Sequence, residues 1–228
     1  MLSLGLSFFT MATHGVWDLG AWIHALKAPD FAEITDVEQR KAAFFNYLLP
    51  VIQQQNEKIL LMRSLIKNNQ FSTKQRQKLA KKYRLKETSQ SALLKAVDIV
   101  PASLILAQAA IESSWGRSRF AQRWHNYFGI WCFEPGCGVI PKKRAKNSAH
   151  EIATFSSPAK AVEYYLLNIN RNAAYTTLRD IRQHKRDHQL PITGIALAEG
   201  LANYAEIGYE YVEMVQNVIR QNQLQQYD

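Results

Sequence analysis

The chain has 228 residues and carries 28 lysine and arginine residues against 19 aspartate and glutamate residues, a formal net charge of +9. Because 47% of its residues are hydrophobic and 11% are aromatic, the composition excludes a disordered chain and is ample for one compact core. The positive charge suits an anionic polymer such as nucleic acid, a membrane surface or the bacterial cell wall, and charge alone does not separate these partners from a merely basic soluble protein.

Residues 1–15 are predicted to be a truncated signal segment. The stretch from Leu2 to Ala12 is apolar enough for the core of a secretory signal, but no lysine or arginine precedes it and only Ala12 to Gly15 offers a cleavage site. No later stretch reaches the roughly 18 uncharged residues that a membrane-spanning helix needs. Stable membrane insertion is therefore not expected.

Residues 16–90 are predicted to form a helical extension that packs on the rest of the chain. The apolar spacing indicates two helices separated by a break at Pro50, followed by a third helix with Ser72 as its N-cap. A basic run at residues 81–86 is typical of a solvated face. The three helices are expected over residues 37–48, 51–66 and 73–83.

A buried central helix is predicted to begin near Pro101. From Leu104 to Ile111 only Gln108 is polar, so the helix should lie inside the fold. A carboxylate at its end, Glu112, is then partly desolvated, which raises its pKa and makes it a usable proton donor near neutral pH. The alternative is an acid that reaches solvent or pairs with an arginine, and the pattern alone does not choose between the two.

The interval from Gly129 to Phe155 is predicted to be non-helical. It combines short apolar runs with turn residues, which favours a β-hairpin followed by an edge strand. The expected strands cover residues 128–131, 139–140 and 151–155, with a turn at 134–136.

Two cysteines, Cys132 and Cys137, bracket the turn of this hairpin. A Pro-Gly pair brings flanking residues together, so the cysteines are expected to form a disulfide, which implies an oxidising compartment. The alternative is two reduced thiols in the cytosol. A zinc site is not expected, because no histidine stands at ligand spacing.

The last part of the chain is predicted to be helical again. Ser157 is the expected cap of a helix with Pro158 in its first turn. Three further helices are expected near residues 175–186, 191–203 and 209–224.

Two sequence blocks resemble the glucosaminidase branch of the lysozyme-like superfamily, glycoside hydrolase family 73. The first block is the pattern A-x-E-S-x-W-G at residues 110–116, and the second is N-x-F-G-I at residues 126–130. The segments 131–138, 44–45 and 49–50 are similar to the Bax-like subgroup. The resemblance covers roughly residues 30 to 220. It implies a mainly α (α+β) fold in which residues 91–228 form a lysozyme-like catalytic domain with a small β-hairpin wall.

The same resemblance implies catalytic residues. Glycosidic cleavage generally needs a proton donor and a second group that stabilises positive charge or activates water. Glu112 matches the family's general acid, and Tyr204 matches a tyrosine that faces this acid and orients the sugar. Glu134 and Glu151 are the candidates for a second carboxylate, with a surface charge or an ion pair to the basic residues 142–144 as the alternative for each. The family's usual hairpin glutamate falls at residues 141–144, where this chain has no acid.

The candidate substrate-binding residues are the polar Asn126 and the aromatic residues Phe128, Trp131 and Trp115. Of the aromatic residues, Trp131 is expected to stack on a sugar face and Trp115 is expected to pack in the core. Asn126 is expected either to donate a hydrogen bond to the sugar or to cap the hairpin. The alternative for the aromatic residues is a purely structural role.

The expected function is an exported or periplasmic endo-β-N-acetylglucosaminidase that cuts β-1,4 bonds of the peptidoglycan glycan strand. Neither a metal nor a nucleotide cofactor is expected. The alternatives are a lytic transglycosylase on the same scaffold and a non-catalytic, basic cell-wall-binding module. A nucleic-acid partner is not expected, because the chain has no helix-turn-helix, zinc-finger or RNP-type pattern.

Overall fold

A computed structural model describes residues 28–141, 150–202, 204 and 208–228. The predicted signal segment at residues 1–15 and the basic residues 142–144 lie outside this part of the chain. The described part is mainly helical with one small sheet, as the sequence predicted. The α-helices are α1 (Val37–Lys67), α2 (Thr73–Lys82), α3 (Gln90–Ala96), α4 (Ala102–Ser113), α5 (Arg119–Trp124), α6 (Pro158–Arg171), α7 (Thr176–Asp187), α8 (Gly194–Ala198) and α9 (Tyr209–Gln221). Short 3₁₀ turns cover Ala173–Tyr175, Glu199–Leu201 and Leu224–Tyr227.

Helix α1 runs without interruption through Pro50, so the predicted break into two helices is wrong. Proline removes one backbone donor, which costs a single hydrogen bond within a helix of 31 residues. Phe44 and Leu48 before the proline and Ile52 after it are all buried in the core. Packing on both sides therefore keeps the helix continuous where the local rule predicts a break.

Helix α4 is the centre of the molecule, as its apolar sequence predicted. Its residues Ala102–Ala110 are all buried, and it packs against α1, α8 and α9. The side chains of α1 belong to the same core, so the predicted extension packs directly on the central helix. The division of the chain at residues 90 and 91 stays a prediction.

The start of α4 is capped from the other end of the chain. Pro101 occupies the N-cap position and provides no side-chain bond. Asp228 supplies it, since its carboxylate accepts the Ser103 amide at 3.0 Å and the Gly194 amide at 2.8 Å. Backbone amides in the first turn of a helix have no acceptor within the helix. The Asp228 carboxylate accepts one such amide from α4 and one from α8.

A buried ion cluster ties α1 and α7 to the segment before α4. Asp98 is fully buried and faces three arginines, with Nη1 of Arg63 at 3.3 Å, Nε of Arg182 at 3.8 Å and Nη2 of Arg186 at 2.8 Å. Arg182 is itself buried and donates to the carbonyl of Ile99 at 2.8 Å.

The sheet has three short antiparallel strands, β1 (Trp131–Cys132), β2 (Gly138–Val139) and β3 (Glu151–Ala153), in the order β1-β3-β2. The predicted hairpin is therefore wrong in its pairing, because β1 and β2 each pair with β3 and the expected edge strand is central. A side chain at Gly138 would meet the carbonyl oxygen of Ile152 at 2.0 Å, so glycine is required for this close pairing.

None of the helices in the described part of the chain combines the length and the apolar character that crossing a bilayer requires.

Candidate active site

Glu112 lines a cleft of about 860 Å³ between the end of α4, the small sheet and α6. The walls come from residues that are far apart in the sequence. On the sheet side they are Phe128, Gly129, Ile130, Trp131, Cys132, Phe133, Glu134 and Cys137, and on the helical side they are Arg84, Tyr164, Asn168, Arg171, Asn172, Tyr175 and Tyr204.

The Glu112 carboxyl group is held by one tyrosine. The hydroxyl of Tyr211, in the first turn of α9, donates to Oε1 of Glu112 at 2.7 Å. Burial raises the pKa of Glu112, and the hydrogen bond from Tyr211 opposes that shift in part by stabilising the ionised form. The raised pKa predicted from the sequence agrees with this environment.

A chain of buried hydrogen bonds orients Tyr211. The hydroxyl of Tyr165 donates to Oε1 of Gln108 at 2.5 Å, and Nε2 of Gln108 donates to the Tyr211 hydroxyl at 3.1 Å. Since the Tyr211 oxygen accepts from Gln108, its own proton is free to point toward Glu112. The hydrogen bond from Tyr165 thus orients the Gln108 amide, and the bond from Gln108 in turn orients the Tyr211 hydroxyl.

Gly129 brings the sheet side of the cleft close to the second carboxyl oxygen. Its φ angle is +61°, and a Cβ atom at this position would lie 3.3 Å from Oε2 of Glu112. A side chain here would be strained and would crowd the carboxyl group. Oε2 therefore faces the Phe128–Gly129 segment.

Tyr204 lines the same cleft as Glu112 and is connected to it through another tyrosine. Its ring stacks on Tyr211 with centroids 5.1 Å apart and planes 11° apart. Its hydroxyl donates to the carbonyl of Phe128 at 3.1 Å. Burial raises the pKa of Tyr204 well above its usual value, and the negative charge of the ionised Glu112 nearby adds to the shift, so the tyrosine keeps its proton.

The two candidate second carboxylates have different surroundings. Glu134 is exposed and lines the cleft. Glu151 is buried, and its carboxylate accepts the amides of Gly136 at 3.1 Å and Gly138 at 2.8 Å. The structure thus brings Glu134 to the cleft, whereas Glu151 is used to hold the loop between β1 and β2.

The aromatic candidates also separate into two groups. Trp131 lines the cleft, is 52% exposed and stacks on His150 with centroids 4.1 Å apart. Phe128 lines the cleft as well, although its buried ring stacks on Tyr165 at 4.3 Å. Trp115 packs edge-on against Phe44 and Phe45 of α1, at 6.1 and 5.4 Å. Trp115 is therefore half-buried against the core and lies outside the residues that line the cleft.

Asn126 supports the sheet from inside. It is buried, its Nδ2 donates to the carbonyls of Ile130 at 2.9 Å and Ala153 at 2.8 Å, and its Oδ1 accepts the Ile130 amide at 3.0 Å. Both amide protons of Asn126 are thus used within the protein, which leaves no donor for a sugar.

The predicted disulfide is present. Cys132 and Cys137 are bonded, with Cα atoms 6.1 Å apart, and both line the cleft. Together with Glu151 they form a group whose potential metal-binding atoms lie within 4.8 Å of one another. The two sulfurs are bonded to each other, and Glu151 accepts two backbone amides. In this arrangement the three residues hold the loop between β1 and β2.

Gln108 and Tyr211, which orient the carboxyl group of Glu112, escaped the sequence prediction. Gln108 precedes Glu112 by four positions, so both lie on one face of α4, and its isolation among apolar residues was the available signal. Tyr211 comes from another helix, and nothing local in the sequence marks it as the partner of Glu112.

Comparisons with known proteins identify the family of this chain. The family model named Glucosaminidase, described as mannosyl-glycoprotein endo-beta-N-acetylglucosaminidase, matches residues 87–224. The protein Bax of Escherichia coli (strain K12) is 30% identical, over 86% of this chain and 74% of the relative. The crystal structure of the catalytic domain of the autolysin Auto from Listeria monocytogenes superposes with a TM-score of 0.50 at 19% sequence identity. The match covers 86% of this chain and 92% of the autolysin chain and supports the fold. The chain belongs to the glucosaminidase family and is a glycoside hydrolase.

Proposed function

We propose that this glycoside hydrolase cuts β-1,4 bonds between N-acetylglucosamine and N-acetylmuramic acid in peptidoglycan, with Glu112 as the general acid. One observation carries the proposal: a desolvated carboxyl group lies in an open cleft with one oxygen held by Tyr211. The autolysin name of the structural relative supports a cell-wall substrate.

We infer that the transferable proton of Glu112 lies on the carboxyl oxygen that Tyr211 does not hold. Oε1 accepts from Tyr211, so the proton of the neutral acid belongs on Oε2, which faces Gly129. A glycosidic oxygen within hydrogen-bond reach of Oε2 accepts this proton as its bond to the anomeric carbon breaks. The ionised carboxylate that results is stabilised by the Tyr211 hydrogen bond.

Glu134 is our candidate for the second group. It is the other carboxylate that lines the cleft among the described residues, and it is exposed on the loop closed by the disulfide. A second carboxylate in the cleft can stabilise positive charge on the sugar or activate water. Tyr204 holds the Phe128 carbonyl and the Tyr211 ring, and so positions the segment that faces the acid.

We propose that the protein acts in the cell envelope, outside the cytoplasm. A disulfide persists in oxidising compartments and is rare in the cytosol. Peptidoglycan lies in the same compartment. The net charge of +9 favours binding to this anionic polymer.

The test is digestion of purified sacculi by the wild-type chain, by Glu112→Gln and by Glu210→Gln, an exposed glutamate of α9. Mass spectrometry identifies the new chain ends. We expect reducing N-acetylglucosamine ends from the wild type and from Glu210→Gln, and at least a 100-fold lower rate from Glu112→Gln, because an amide cannot give up the proton. Glu112→Gln should remain folded, since burial already disfavours the ionised carboxylate.

Other products would redirect the proposal. Reducing N-acetylmuramic acid ends would make the enzyme a muramidase, and anhydro ends, lighter by one water, would make it a lytic transglycosylase. Binding without any cleavage would leave a cell-wall-binding module. Full activity of a folded Glu112→Gln variant would remove Glu112 as the acid.

A further inference from the structure

Two arginines line the cleft without a carboxylate partner among the described residues. Arg84 and Arg171 both belong to its walls. Within the described residues, neither guanidinium forms an ion pair or a hydrogen bond, and Nε of Arg171 is buried without a partner. Unpartnered guanidinium groups in a substrate cleft retain their capacity to bind an anion.

Arg171 belongs to one face of α6. Tyr164, Asn168 and Arg171 follow each other at intervals of four and three residues, and all three line the cleft. The guanidinium carbon of Arg171 lies 5.9 Å from the centroid of the Tyr164 ring. The aromatic ring thus supports the cation from one side.

Arg84 reaches the same side of the cleft from the segment that precedes the family match. Its φ angle is +56°, in a turn closed by the amide of Leu85, which donates to the carbonyl of Ala80 at 2.8 Å. Lys82, two residues earlier, pairs with Glu163 of α6 at 3.8 Å. Glu163 precedes Tyr164 in α6. The ion pair between Lys82 and Glu163 therefore holds the Arg84 turn next to the face of α6 that carries Tyr164 and Arg171.

The acids near these arginines are already engaged or lie elsewhere in the cleft. Glu163 pairs with Lys160 at 2.9 Å as well as with Lys82, and these lysines lower its pKa. The carboxylates that line the cleft in the described residues, Glu112 and Glu134, belong to the end of α4 and to the sheet side. Among the described residues, the helical side therefore presents positive charge without a carboxylate of its own.

We propose that Arg84 and Arg171 form a subsite that binds a carboxylate of the muramic unit of the substrate. The inference rests on the proposed peptidoglycan substrate and names the part of it that this side of the cleft recognises. Two sources supply the charge. A muramic residue without a peptide has a free lactyl carboxylate, whereas a peptide-bearing residue carries carboxylates on its stem peptide. A chitin oligosaccharide of the same length has neither.

Calorimetric titration of the full-length Glu112→Gln chain with three tetrasaccharides tests the subsite. They are the neutral chitin tetrasaccharide, the alternating glycan with free lactyl carboxylates, and the same glycan with stem peptides. We expect one charged glycan to bind about tenfold more tightly than the neutral one, since a guanidinium makes charge-assisted hydrogen bonds with a carboxylate. The charged glycan that gains affinity identifies the source.

The second step adds Arg84→Gln or Arg171→Gln to the same background. Each should reduce the affinity ratio between the charged and the neutral glycan to about threefold or less, and Arg171→Lys should retain part of it. The matched control is Arg123→Gln, an exposed arginine of α5 outside the cleft, which changes the net charge by the same amount and should leave the ratio unchanged. Thermal unfolding checks that each variant is folded.

Equal affinity for all three glycans, no binding of any glycan, or an undiminished ratio in either glutamine variant would overturn the subsite. These outcomes are separable from a failure of the proposed reaction, because binding is measured in a variant that lacks the acid. A wild-type chain that cleaves nothing while Glu112→Gln still prefers the charged glycan would refute the reaction and keep the subsite.

Discussion

Tyr211 donates a hydrogen bond of 2.7 Å to Glu112, although 99 positions separate the two residues in the chain. The bond joins the first turn of α9 to the last turn of α4. Because Gln108 donates to the same hydroxyl, the tyrosine proton is directed to the carboxyl group and the acid is held in one orientation. Preorganisation of this kind reduces the motion that a proton transfer requires.

Tyr211→Phe should shift the pH dependence of turnover. The tyrosine hydrogen bond stabilises the ionised form of Glu112, so its loss raises the pKa of the acid further. A general acid with a higher pKa stays protonated to higher pH, and the alkaline limb of the kcat profile should move up. Tyr209→Phe, an exposed tyrosine on the same helix, is the control. An unchanged alkaline limb in Tyr211→Phe would mean that Glu112 does not act as the acid.

Tyr204→Phe should lower turnover by about tenfold or more with a small change in melting temperature. The substitution removes one hydroxyl, and with it the hydrogen bond to the Phe128 carbonyl, worth about 1 kcal/mol of stability. The stacked ring on Tyr211 remains. Steady-state kinetics and thermal unfolding on the same samples separate the two effects. A large loss of stability with a proportional loss of activity would assign Tyr204 to the core alone.

Local sequence predicted most of the helices and the burial of α4, because their signals lie within a few residues. The apolar run before Glu112 predicted a desolvated carboxyl group, which agrees with its surroundings, and Ser72 caps α2 as expected. The predictions that failed depend on packing between distant segments. Pro50 stays inside a helix because its neighbours are buried, and β3 is central because both other strands pair with it.

The same limit applies to the candidate site. Whether a glutamate faces a cleft or holds a loop depends on tertiary structure, so Glu134 and Glu151 were equivalent in the sequence and differ in the structure. The sequence left open whether Asn126 binds a sugar or caps the hairpin. Its hydrogen bonds to the backbone of the sheet show that it supports the sheet. Arg84 belongs to the basic run that the sequence assigned to a solvated face, and nothing in the sequence pointed either Arg84 or Arg171 to the cleft, since basic residues are frequent throughout this chain.

Asp98→Asn should destabilise the fold by about 3–5 kcal/mol, because it removes the one carboxylate that three arginines share in the interior. Urea unfolding of the full chain measures the loss. Asp180→Asn is the matched control, since Asp180 pairs with Lys95 at 2.6 Å on the surface and its removal should cost less than about 1 kcal/mol. Equal effects of the two substitutions would contradict a structural role for the buried cluster.

The Cys132–Cys137 disulfide should matter more for the cleft wall than for global stability. It closes a loop over a sequence separation of 5, and short loops lose little entropy on closure, so Cys132→Ser with Cys137→Ser should cost only about 1–3 kcal/mol. The loop carries Glu134 and lines the cleft, so its loosening should raise KM or lower kcat.

Two controls make this result interpretable. Glu151→Gln weakens the other support of the loop without touching the sulfurs, because it removes charge from the group that accepts the Gly136 and Gly138 amides. If the loop position is what matters, both changes should affect KM in the same direction. Peptide mapping of exported protein without reductant comes first, and two free thiols there would contradict the disulfide and the oxidising compartment together.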